Sequence, residues 1–350
     1  MNAPNRLSAE IGFPRVERFL AHEIEARALA FALERGLIGR LARRSAAVPV
    51  LAAAARLPPE RVGMLVGLLV ESGVLAEEEE GVALTPEFRA VLPARDLIEA
   101  KLAFAAAAAE DLRTLFPAFV ADMPAFMEGS RTFELFRYDR CFALTPENIA
   151  ATRRWVSYTT CLTRYEAGPC LDRIDLTRHR RLLDLGGNSG EFAARACARA
   201  PHLAATVVDL PVVCALGREN LSGREEGARV AFHPADMRRD PLPGGHDLVT
   251  FKSVLHDWPE EEARALLARA GQALEPGGCL VIFERAPLPR RGRRADFAAA
   301  PNLVFEPFFR SADLYCDVLR GLGFADVAVG AVELETPFHL IEARKPGGHP

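Results

Sequence analysis

A histidine and a glutamate in this sequence have the chemistry of a proton-transfer pair. His256 follows the apolar run HDLVTFKSV, and Glu284 lies near the end of a second apolar run, GCLVIFER. Both runs are typical of buried strands, and the ligands of open α/β sheets collect where such strands end. An imidazole with a pKa of about 6.5 suits proton removal near neutrality. We therefore predict His256 as a general base oriented by Glu284, rather than a histidine satisfied within the core.

A glycine-rich turn after an earlier strand is the strongest local signal for ligand binding. The segment DLGGNSG, which begins at Asp184, leaves the run RLLDL and enters a helical pattern. Its glycines, Gly186, Gly187 and Gly190, leave room for a ligand to approach the backbone. A dinucleotide fingerprint GxGxxG would need glycine at positions 188 and 191, which hold asparagine and glutamate, and no P-loop GK[ST] follows. The spacing thus disfavours nicotinamide dinucleotides and nucleoside triphosphates.

Two further carboxylates follow the next two predicted strands. Asp209 ends the run ATVVD, where a carboxylate can accept hydrogen bonds from both hydroxyls of a ribose. Asp236 and Met237 come after ARVAFHP, where a carboxylate and a polarisable side chain can meet a flat heterocycle such as adenine. Taken alone, Asp209 would more often be a helix cap, but its place beside the glycine turn favours ribose binding.

An aromatic and arginine-rich stretch precedes these strands. A Thr-Pro pair at 145–146 predicts the start of a helix that runs to about Ala167. Four of its residues recur on one face, either as a core stripe or as a pocket wall: Trp155, Tyr158, Leu162 and Tyr165. The candidate acceptor-binding residues, from this stretch and the 300–315 loop, are Phe136, Arg137, Tyr138, Arg140, Arg153, Trp155, Tyr158, Arg164, Phe305 and Phe309.

The residues that carry the chemistry belong mainly to a region of alternating strands and helices. From residue 180 onward five runs, beginning with RLLDL and ending with GCLVIFER, are largely apolar and separated by helical patterns. Such strands imply a parallel sheet covered on both faces. After a helix at 311–322, ADVAVGAVEL and FHLIEARK follow in direct succession, as an antiparallel pair at the sheet edge requires. We predict an α/β, Rossmann-like fold with a mostly parallel seven-stranded sheet whose last strand is antiparallel.

Residues 13 to about 105 are predominantly helical and outline a winged helix. The pattern is VPVLAAAARL, a Pro-Pro break, ERVGMLVGLLVESG and a short β-wing with the tip EEEEG. A helix that reads a DNA groove needs basic residues to neutralise phosphates, yet the second helix carries only Arg61. Residues 1–100 hold 12 arginines, 14 acidic residues and no lysine. We therefore expect no nucleic-acid partner and assign this domain to packing or dimerisation.

The whole-chain composition narrows the class of protein further. The 350 residues are 49% hydrophobic with a formal net charge of −4, which gives no electrostatic reason to bind nucleic acid or an anionic membrane. Seven cysteines include no CxxC pair, as in a reducing compartment. The N-terminus lacks a signal-peptide pattern, and no apolar stretch approaches the roughly 18 residues that cross a bilayer. We expect a cytoplasmic enzyme or a regulator with a ligand domain.

The ordered series of motifs resembles the S-adenosylmethionine-dependent small-molecule O-methyltransferases typified by caffeic acid and hydroxyindole enzymes. The resemblance rests on DLGGNSG, VVDLP, the AD-M step, FKSVLHDWPEEEA, LEPGG, FERAPLP and FHLIEARK, and covers nearly the whole chain. It implies a class I methyltransferase domain over 171–350, a helical linker and substrate-pocket region over 106–170, and a winged-helix dimerisation domain over 1–105. It also implies a homodimer that acts on a small-molecule methyl acceptor.

The resemblance also implies roles for individual residues. The cofactor is S-adenosyl-L-methionine, and its product is S-adenosyl-L-homocysteine. His256 is the general base and Glu284 one of its two acidic partners, while Lys252 lies near the adenine or the sugar. The residues implied to bind the cofactor are Asp184, Gly186, Gly187, Gly190, Asp209, Leu210, Asp236, Met237 and Lys252. No metal is expected, because Asp236 and Asp257 lack the further clustered ligands of a magnesium site.

The sequence departs from the family where the second acidic partner is expected. An E-R-T type motif before the last large helix usually supplies a glutamate, but here the matching stretch, FFRS, puts Phe309 at that position. Glu306, three residues earlier, is the nearest substitute. The first interpretation is O-methylation by a His256–Glu284 dyad, which suits a phenol that is mostly protonated at neutrality.

Other chemistries remain open. The second interpretation is S-methylation of a small thioether carboxylate, similar to the methylthiohydroxybutyrate S-methyltransferases of dimethylsulfoniopropionate synthesis. A thioether sulfur needs no base, and Arg137, Arg140, Arg153 or Arg164 would bind the carboxylate. Carbon methylation of a pigment ring is a third interpretation. A winged-helix regulator with a degenerate methyltransferase domain is the non-enzymatic alternative.

Overall fold

The computed structural model describes residues 22–288, 297–334 and 336–347, so the first nine residues of the predicted helical region lie outside the described residues. The chain divides into two units, one formed by Met1–Thr114 with Arg294–Pro301 and the other by Leu115–Arg293 with Asn302–Pro350. No helix within the described ranges has both the length and the apolar character needed to cross a membrane.

The first unit is a helical module with a short hairpin. Its elements are α1 His22–Glu34, α2 Leu37–Leu41, α3 Val48–Ala55, α4 Pro59–Glu71, β1 Leu75–Glu78, β2 Gly81–Leu84, α5 Pro86–Val91, the 3₁₀ turns Leu92–Ala94 and Phe297–Ala299, and the first part of α6 Arg95–Ala121. The predicted helix, turn, second helix and wing are present as α3, the Pro-Pro break, α4 and the antiparallel β1–β2 hairpin. Helix α4 buries Val62, Leu65, Val66 and Leu69 on one face, as spacings of three and four residues require.

Helix α6, predicted over 97–125, bends near its end. Leu115 has non-helical backbone angles (φ −118°, ψ 16°), and Pro117 lies two residues later. A proline inside a helix lacks an N–H donor and its ring clashes with the preceding turn, so a kink is expected here. The kink coincides with the boundary between the two units.

The second unit is built around a seven-stranded sheet. Its strands are β3 Arg181–Leu185, β4 Ala204–Asp209, β5 Val230–Pro234, β6 His246–Lys252, β7 Leu274–Arg285, β8 Ala325–Glu333 and β9 Pro337–Arg344. The spatial order is β5-β4-β3-β6-β7-β9-β8, with the first five strands parallel and β9 antiparallel to both neighbours. The predicted sheet is thereby confirmed, although β7 begins four residues earlier than the run GCLVIFER indicates.

Helices and turns join and cover these strands. The helices are the last part of α6, α7 Met123–Gly129, α8 Arg131–Leu135, α9 Pro146–Leu171, α10 Glu191–Arg199, α11 Pro211–Leu221, α12 Glu260–Ala273, α13 Ala300–Phe305 and α14 Ala312–Gly321. The 3₁₀ turns are Tyr138–Phe142, Leu176–Arg178, Glu226–Arg229, Leu255–Asp257 and Glu306–Phe308. Apolar side chains of β3, β4, β6 and β7 are buried among those of the covering helices, as a parallel sheet requires.

Helix α9 begins where the Thr-Pro pair predicts and ends four residues later than predicted. The Thr145 hydroxyl accepts a hydrogen bond from the Asn148 N–H at 3.2 Å, which caps the helix. The predicted stripe does not share one environment along its length. Trp155 and Leu162 are buried, whereas Tyr165 is 39% exposed. The aromatic face therefore runs from the core to the surface.

Candidate active site

The glycine turn between β3 and α10 is constrained by the protein's own side chains. Gly186 has a φ of +67°, and a Cβ there would lie 2.8 Å from the Val254 side chain. A Cβ on Gly187 would lie 2.5 Å from Asp184 Oδ2. Both distances are shorter than any van der Waals contact, so these glycines are needed for packing even before a ligand binds. Gly190 precedes α10 in a left-handed conformation.

Asp184 is a buried carboxyl group with one unpaired oxygen. Its Oδ1 accepts a hydrogen bond from the Thr250 hydroxyl at 2.7 Å, because β3 and β6 pair these residues in register. Its Oδ2 is buried and has no hydrogen-bond partner in the described part of the chain. Burial raises the pKa of Asp184 to about 7, although the Thr250 hydrogen bond opposes the shift. A buried acceptor without a donor is costly, so a cationic donor on a ligand would be favoured here.

Asp209, at the end of β4, is tied to the same turn. Its Oδ2 accepts from the Asn188 N–H at 2.8 Å and its Oδ1 from the Leu210 N–H at 2.7 Å. Burial raises the pKa of Asp209 to about 6, despite these two backbone donors. A carboxylate oxygen accepts more than one hydrogen bond, so each oxygen keeps capacity for a ligand hydroxyl. Leu210, the other residue predicted here, begins the connection to α11.

Asp236 and Met237 follow β5, but a residue that the sequence analysis missed engages the carboxylate. Arg238 donates to Asp236 from Nε at 3.0 Å and from Nη2 at 2.9 Å. The same guanidinium lies 4.2 Å from the centre of the Trp258 ring, a cation–π contact. Met237 is buried. The spacing of Arg238 from Asp236, two residues along one turn, is a signal that was available in the sequence.

Lys252, at the end of β6, belongs to a charged cluster that the sequence patterns do not predict. Its ammonium forms an ion pair with Glu166 of α9 and donates to the Thr163 hydroxyl at 3.2 Å. The other Glu166 oxygen accepts from Arg285 at 2.8 Å. All three charged side chains are mostly buried. Lys252 was expected near the adenine or the sugar, and the structure places its ammonium against α9.

Helix α9 also contacts the glycine turn through hydroxyl groups. The Asn188 amide donates to the Thr159 hydroxyl at 3.0 Å, and the hydroxyls of Thr160 and Ser189 lie 2.6 Å apart. These hydrogen bonds place α9 as a wall of the ligand-binding edge. Their partners are 29 residues apart in the chain, so no local pattern indicates them.

The predicted pair of His256 and Glu284 is brought together at the same edge of the sheet. Glu284 is fully buried near the end of β7, and its Oε1 accepts from the N–H groups of Val254 at 2.7 Å and Leu255 at 2.6 Å. Its Oε2 lies 2.5 Å from His256 Nδ1. The backbone donors hold the carboxylate in one orientation, which leaves His256 Nε2 as the nitrogen able to meet a substrate.

Charges around the imidazole shift both members of the pair. Burial alone would lower the pKa of His256, but the negative charges of Glu284 and Asp257 outweigh it and raise that pKa. Burial would raise the pKa of Glu284, yet the His256 charge and the two backbone donors lower it. The pair therefore favours imidazolium beside carboxylate, and the neutral imidazole forms on the alkaline side of the usual histidine pKa.

Phe309, at the position of the usual second acid, packs against His256 in a T-shaped arrangement. The two ring centres lie 5.7 Å apart at 90°. Glu306, the suggested substitute, lies in the Glu306–Phe308 turn and forms no ion pair with His256 in the described structure. A carboxylate does stand near Nε2: Asp257 Oδ1, at 3.4 Å. The sequence alone suggested no role for Asp257 beyond metal binding.

Four of the predicted aromatic residues form one continuous cluster: Phe136, Tyr138, Trp155 and Phe305. Phe136 lies 5.8 Å from both Trp155 and Phe305, and Tyr138 lies 5.6 Å from Trp155 and 5.7 Å from Trp258, measured between ring centres. Tyr158 is half-buried on α9. Because Trp258 and His256 lie in one short segment, the cluster brings aromatic surface close to the imidazole.

The predicted arginines do not share that environment. Three of them form ion pairs with acidic side chains: Arg137 with Asp139, Arg140 with Glu134, and Arg153 with Glu219. Arg164 lies on an exposed position of α9.

No group of three or more histidine, cysteine, aspartate or glutamate side chains that could hold a metal ion occurs in the ranges that the structure covers.

The sheet order, with its antiparallel last strand and the binding edge at the ends of the parallel strands, defines a class I methyltransferase fold. The chain belongs to the O-methyltransferase domain family, whose model matches residues 142–324. The family assignment agrees with the resemblance inferred from the motifs.

Individual relatives and solved structures extend the comparison. The chain is 43% identical over 111 residues to 3-hydroxy-5-methyl-1-naphthoate 3-O-methyltransferase of Streptomyces sahachiroi, a match that covers 32% of each chain. It is 30% identical over 218 residues to demethylspheroidene O-methyltransferase of Cereibacter sphaeroides, covering 60% of this chain and 57% of that one. The matches thus span about a third and just over half of these relatives.

The structure of the mitomycin 7-O-methyltransferase MmcR superposes with a TM-score of 0.75 at 22% identity. The superposition covers 97% of this chain and 98% of that one. At this identity the likeness supports the fold, and the architecture is shared over almost the entire length of both proteins.

Proposed function

We propose that this protein transfers a methyl group from S-adenosyl-L-methionine to a hydroxyl group of a small molecule, with His256 as the general base. The observation that carries the proposal is the 2.5 Å contact between His256 Nδ1 and the fully buried Glu284. It occurs at the sheet edge that also carries the glycine turn. The family assignment supports methyl transfer as the reaction class.

The residues at the glycine turn fit S-adenosyl-L-methionine. The unpaired Asp184 Oδ2 suits the ammonium group of this cofactor, since it is a buried acceptor without a donor. Asp209 keeps acceptor capacity for ribose hydroxyls. Gly186, Gly187, Gly190, Leu210, Asp236, Met237 and Lys252 would complete the cofactor site. When bound, the cofactor supplies a methyl group activated by a positively charged sulfur.

The protein contributes position and proton transfer. Glu284 keeps a proton on His256 Nδ1, so once the imidazole is neutral its Nε2 is free to accept the proton of the acceptor hydroxyl. The acceptor oxygen retains the O–H electron pair and forms the new bond to the methyl carbon, while the pair of the broken carbon–sulfur bond stays on sulfur. A positioned base contributes about 10²- to 10⁴-fold to such a reaction, and alignment of the reacting atoms contributes further.

The acceptor side favours oxygen as the methylated atom. An oriented imidazole assists a hydroxyl but gives a thioether sulfur no advantage. Three of the arginines that would hold a small carboxylate are paired with acids instead. The S-methylation, C-methylation and regulator interpretations are therefore not favoured. The aromatic cluster around Phe136, Tyr138 and Trp155 supports an acceptor with flat apolar surface.

We also propose a cytoplasmic homodimer that associates through residues 1–105, with 106–170 as linker and pocket region and 171–350 as the catalytic domain. All seven cysteines are free, which supports a reducing compartment. The acidic run of the β1–β2 hairpin supports protein contact rather than DNA binding. Light scattering of the full chain measures the association.

The test combines cofactor binding and turnover. Calorimetric titration with S-adenosyl-L-homocysteine measures the cofactor site, and transfer of a labelled methyl group is followed with a panel of hydroxylated aromatics that includes 3-hydroxy-5-methyl-1-naphthoate. We expect His256→Ala to lower turnover at least 100-fold while binding of S-adenosyl-L-homocysteine persists. The matched control is His202→Ala, at an exposed histidine. A loss smaller than tenfold would show that base catalysis is the wrong account.

A further inference from the structure

We propose that Asp257, held by Tyr138, serves as the second carboxylate of the His256 base in this chain. The inference rests on the proposed function, since it concerns how the base is supported. Asp257 would thus supply the second negative charge beside the imidazole, which Phe309 cannot supply. Asp257 acts through His256 and is therefore a positioning residue.

The imidazole lies between two carboxylates on its two ring nitrogens. Glu284 Oε2 stands 2.5 Å from Nδ1, and Asp257 Oδ1 stands 3.4 Å from Nε2. Phe309 packs against the imidazole with an uncharged ring. The 3₁₀ turn Leu255–Asp257 places Asp257 directly after the histidine, so the second acid comes from the same turn as the base.

Tyr138 holds Asp257 in place from a distant part of the chain. Its hydroxyl donates to Asp257 Oδ2 at 2.9 Å, which leaves Oδ1 facing Nε2. The Tyr138 ring lies between Trp155 and Trp258, at 5.6 and 5.7 Å between ring centres, so its own movement is restricted. Burial raises the pKa of the Tyr138 hydroxyl well above its usual value, and it remains a donor throughout the working pH range.

The arrangement matters when the proton of the acceptor arrives. The O–H bond of the acceptor breaks, its electron pair stays on oxygen, and the proton joins Nε2 to form an imidazolium. A carboxylate near that nitrogen stabilises the new positive charge. The side chains of His256 and Asp257 are 11% and 26% exposed, so neither group is sealed from an approaching acceptor.

Charged groups around His256 come from several elements. Strand β7 contributes Glu284, which favours the imidazolium, and Arg285, whose positive charge opposes it. Asp257 and the neutral Tyr138 hydroxyl lie on the Nε2 side. From the segment before α14, Arg310 donates to the Leu255 carbonyl at 2.7 Å. Tyr315 of α14 is buried and, because its pKa is raised by that burial, uncharged.

The test is a direct titration of His256 in the full-length protein by nuclear magnetic resonance, which needs no acceptor. The His256 signal is assigned by its loss in His256→Gln. We expect Asp257→Asn to lower the His256 pKa by about one unit, as removal of a nearby opposite charge does. Asp317→Asn, at an exposed acid of α14, is the matched control and should leave that pKa unchanged.

Tyr138 is tested by a double-mutant cycle. Tyr138→Phe should change the His256 pKa in the parent chain and have no effect in the Asp257→Asn background, because its influence passes through Asp257. A His256 pKa that stays within about 0.2 units in Asp257→Asn would overturn the inference. If that happens while His256→Ala is inactive, the inference alone fails; if His256→Ala retains turnover, the proposed function fails as well.

Discussion

The proposed cofactor side and the proposed acceptor side of the site are built differently. On the cofactor side, Asp184 and Asp209 lie at strand ends, and the glycine turn between them is shaped by side chains of the sheet. On the acceptor side, Tyr138, Trp155 and Phe305 come from helices and turns that precede or follow the strands concerned. The sheet determines the geometry of the first side, whereas side chains from several segments of the chain form the second. We therefore expect substitutions on the first side to affect folding and cofactor binding together, and those on the second side to affect acceptor binding and, at Tyr138, the His256 base.

The largest effect is expected at Glu166, which joins Lys252 and Arg285 beside the cofactor side. Glu166→Gln removes the carboxylate that these two mostly buried cations share. Breaking a buried ion pair by removing one partner costs about 3–5 kcal/mol. Urea unfolding should show a loss of that order. Glu219→Gln, at an exposed ion pair, is the control, and an equal loss in both variants would contradict a special role for Glu166.

A pH-dependent effect follows from Asp184. Its pKa is about 7 in the folded chain against 3.8 ordinarily, so the folded state holds the proton more tightly. The contribution of Asp184 to the free energy of unfolding should be greatest below about pH 4. It should fall as the pH rises to 7, by up to about 4 kcal/mol at 1.36 kcal/mol per pH unit. Unfolding of the ligand-free protein at several pH values measures it.

Asp184→Asn should remove the part of the pH dependence that Asp184 contributes, because the amide does not titrate, and should leave the part from Asp209, whose pKa is also raised by burial. Binding of S-adenosyl-L-homocysteine should show the opposite trend in the parent chain and strengthen as the pH approaches 7, since an ammonium favours the ionised carboxylate. A pH slope unchanged in Asp184→Asn would assign the dependence to other groups.

The smallest effect is expected at the surface arginines. Arg153 and Glu219 form an exposed ion pair, and such pairs contribute about 0–1 kcal/mol. Arg153→Ala should change the KM for the acceptor by less than twofold. A tenfold higher KM, confined to acceptors that carry a carboxylate, would show that Arg153 binds the acceptor. The acceptor side would then include a charged residue, as the cofactor side does.

The sequence predicted the parts of the site that depend on local patterns. Strand ends and the glycine turn are marked by apolar runs and glycine spacing, so Asp184, Asp209 and Glu284 could be placed at one edge of the sheet. The fold followed from the alternation of strands and helices and from the two closing strands. These features need only short stretches of chain to specify them.

Contacts between distant segments could not be predicted in the same way. Tyr138 and Asp257 are 119 residues apart, and Glu166 and Lys252 are 86 apart. A single sequence contains no signal that identifies such residues as partners, because each of these polar side chains could equally well lie on the surface without the other. The clustering of arginines suggested an anionic acceptor, but each of three finds an acid nearby instead.

Strand β7 has a consequence for motion as well as for geometry. Strand β7 pairs with β6 on one side and with β9 on the other. Glu284 lies opposite His339 of β9, and the preceding residue, Phe283, lies opposite Lys252 of β6. Amide hydrogens in such a central strand exchange with solvent only when much of the sheet opens. Tyr138 lies in a short 3₁₀ turn, and the rings of Trp155 and Trp258 restrict its movement. The orientation of the proposed base should thus persist through many cycles of acceptor entry and departure.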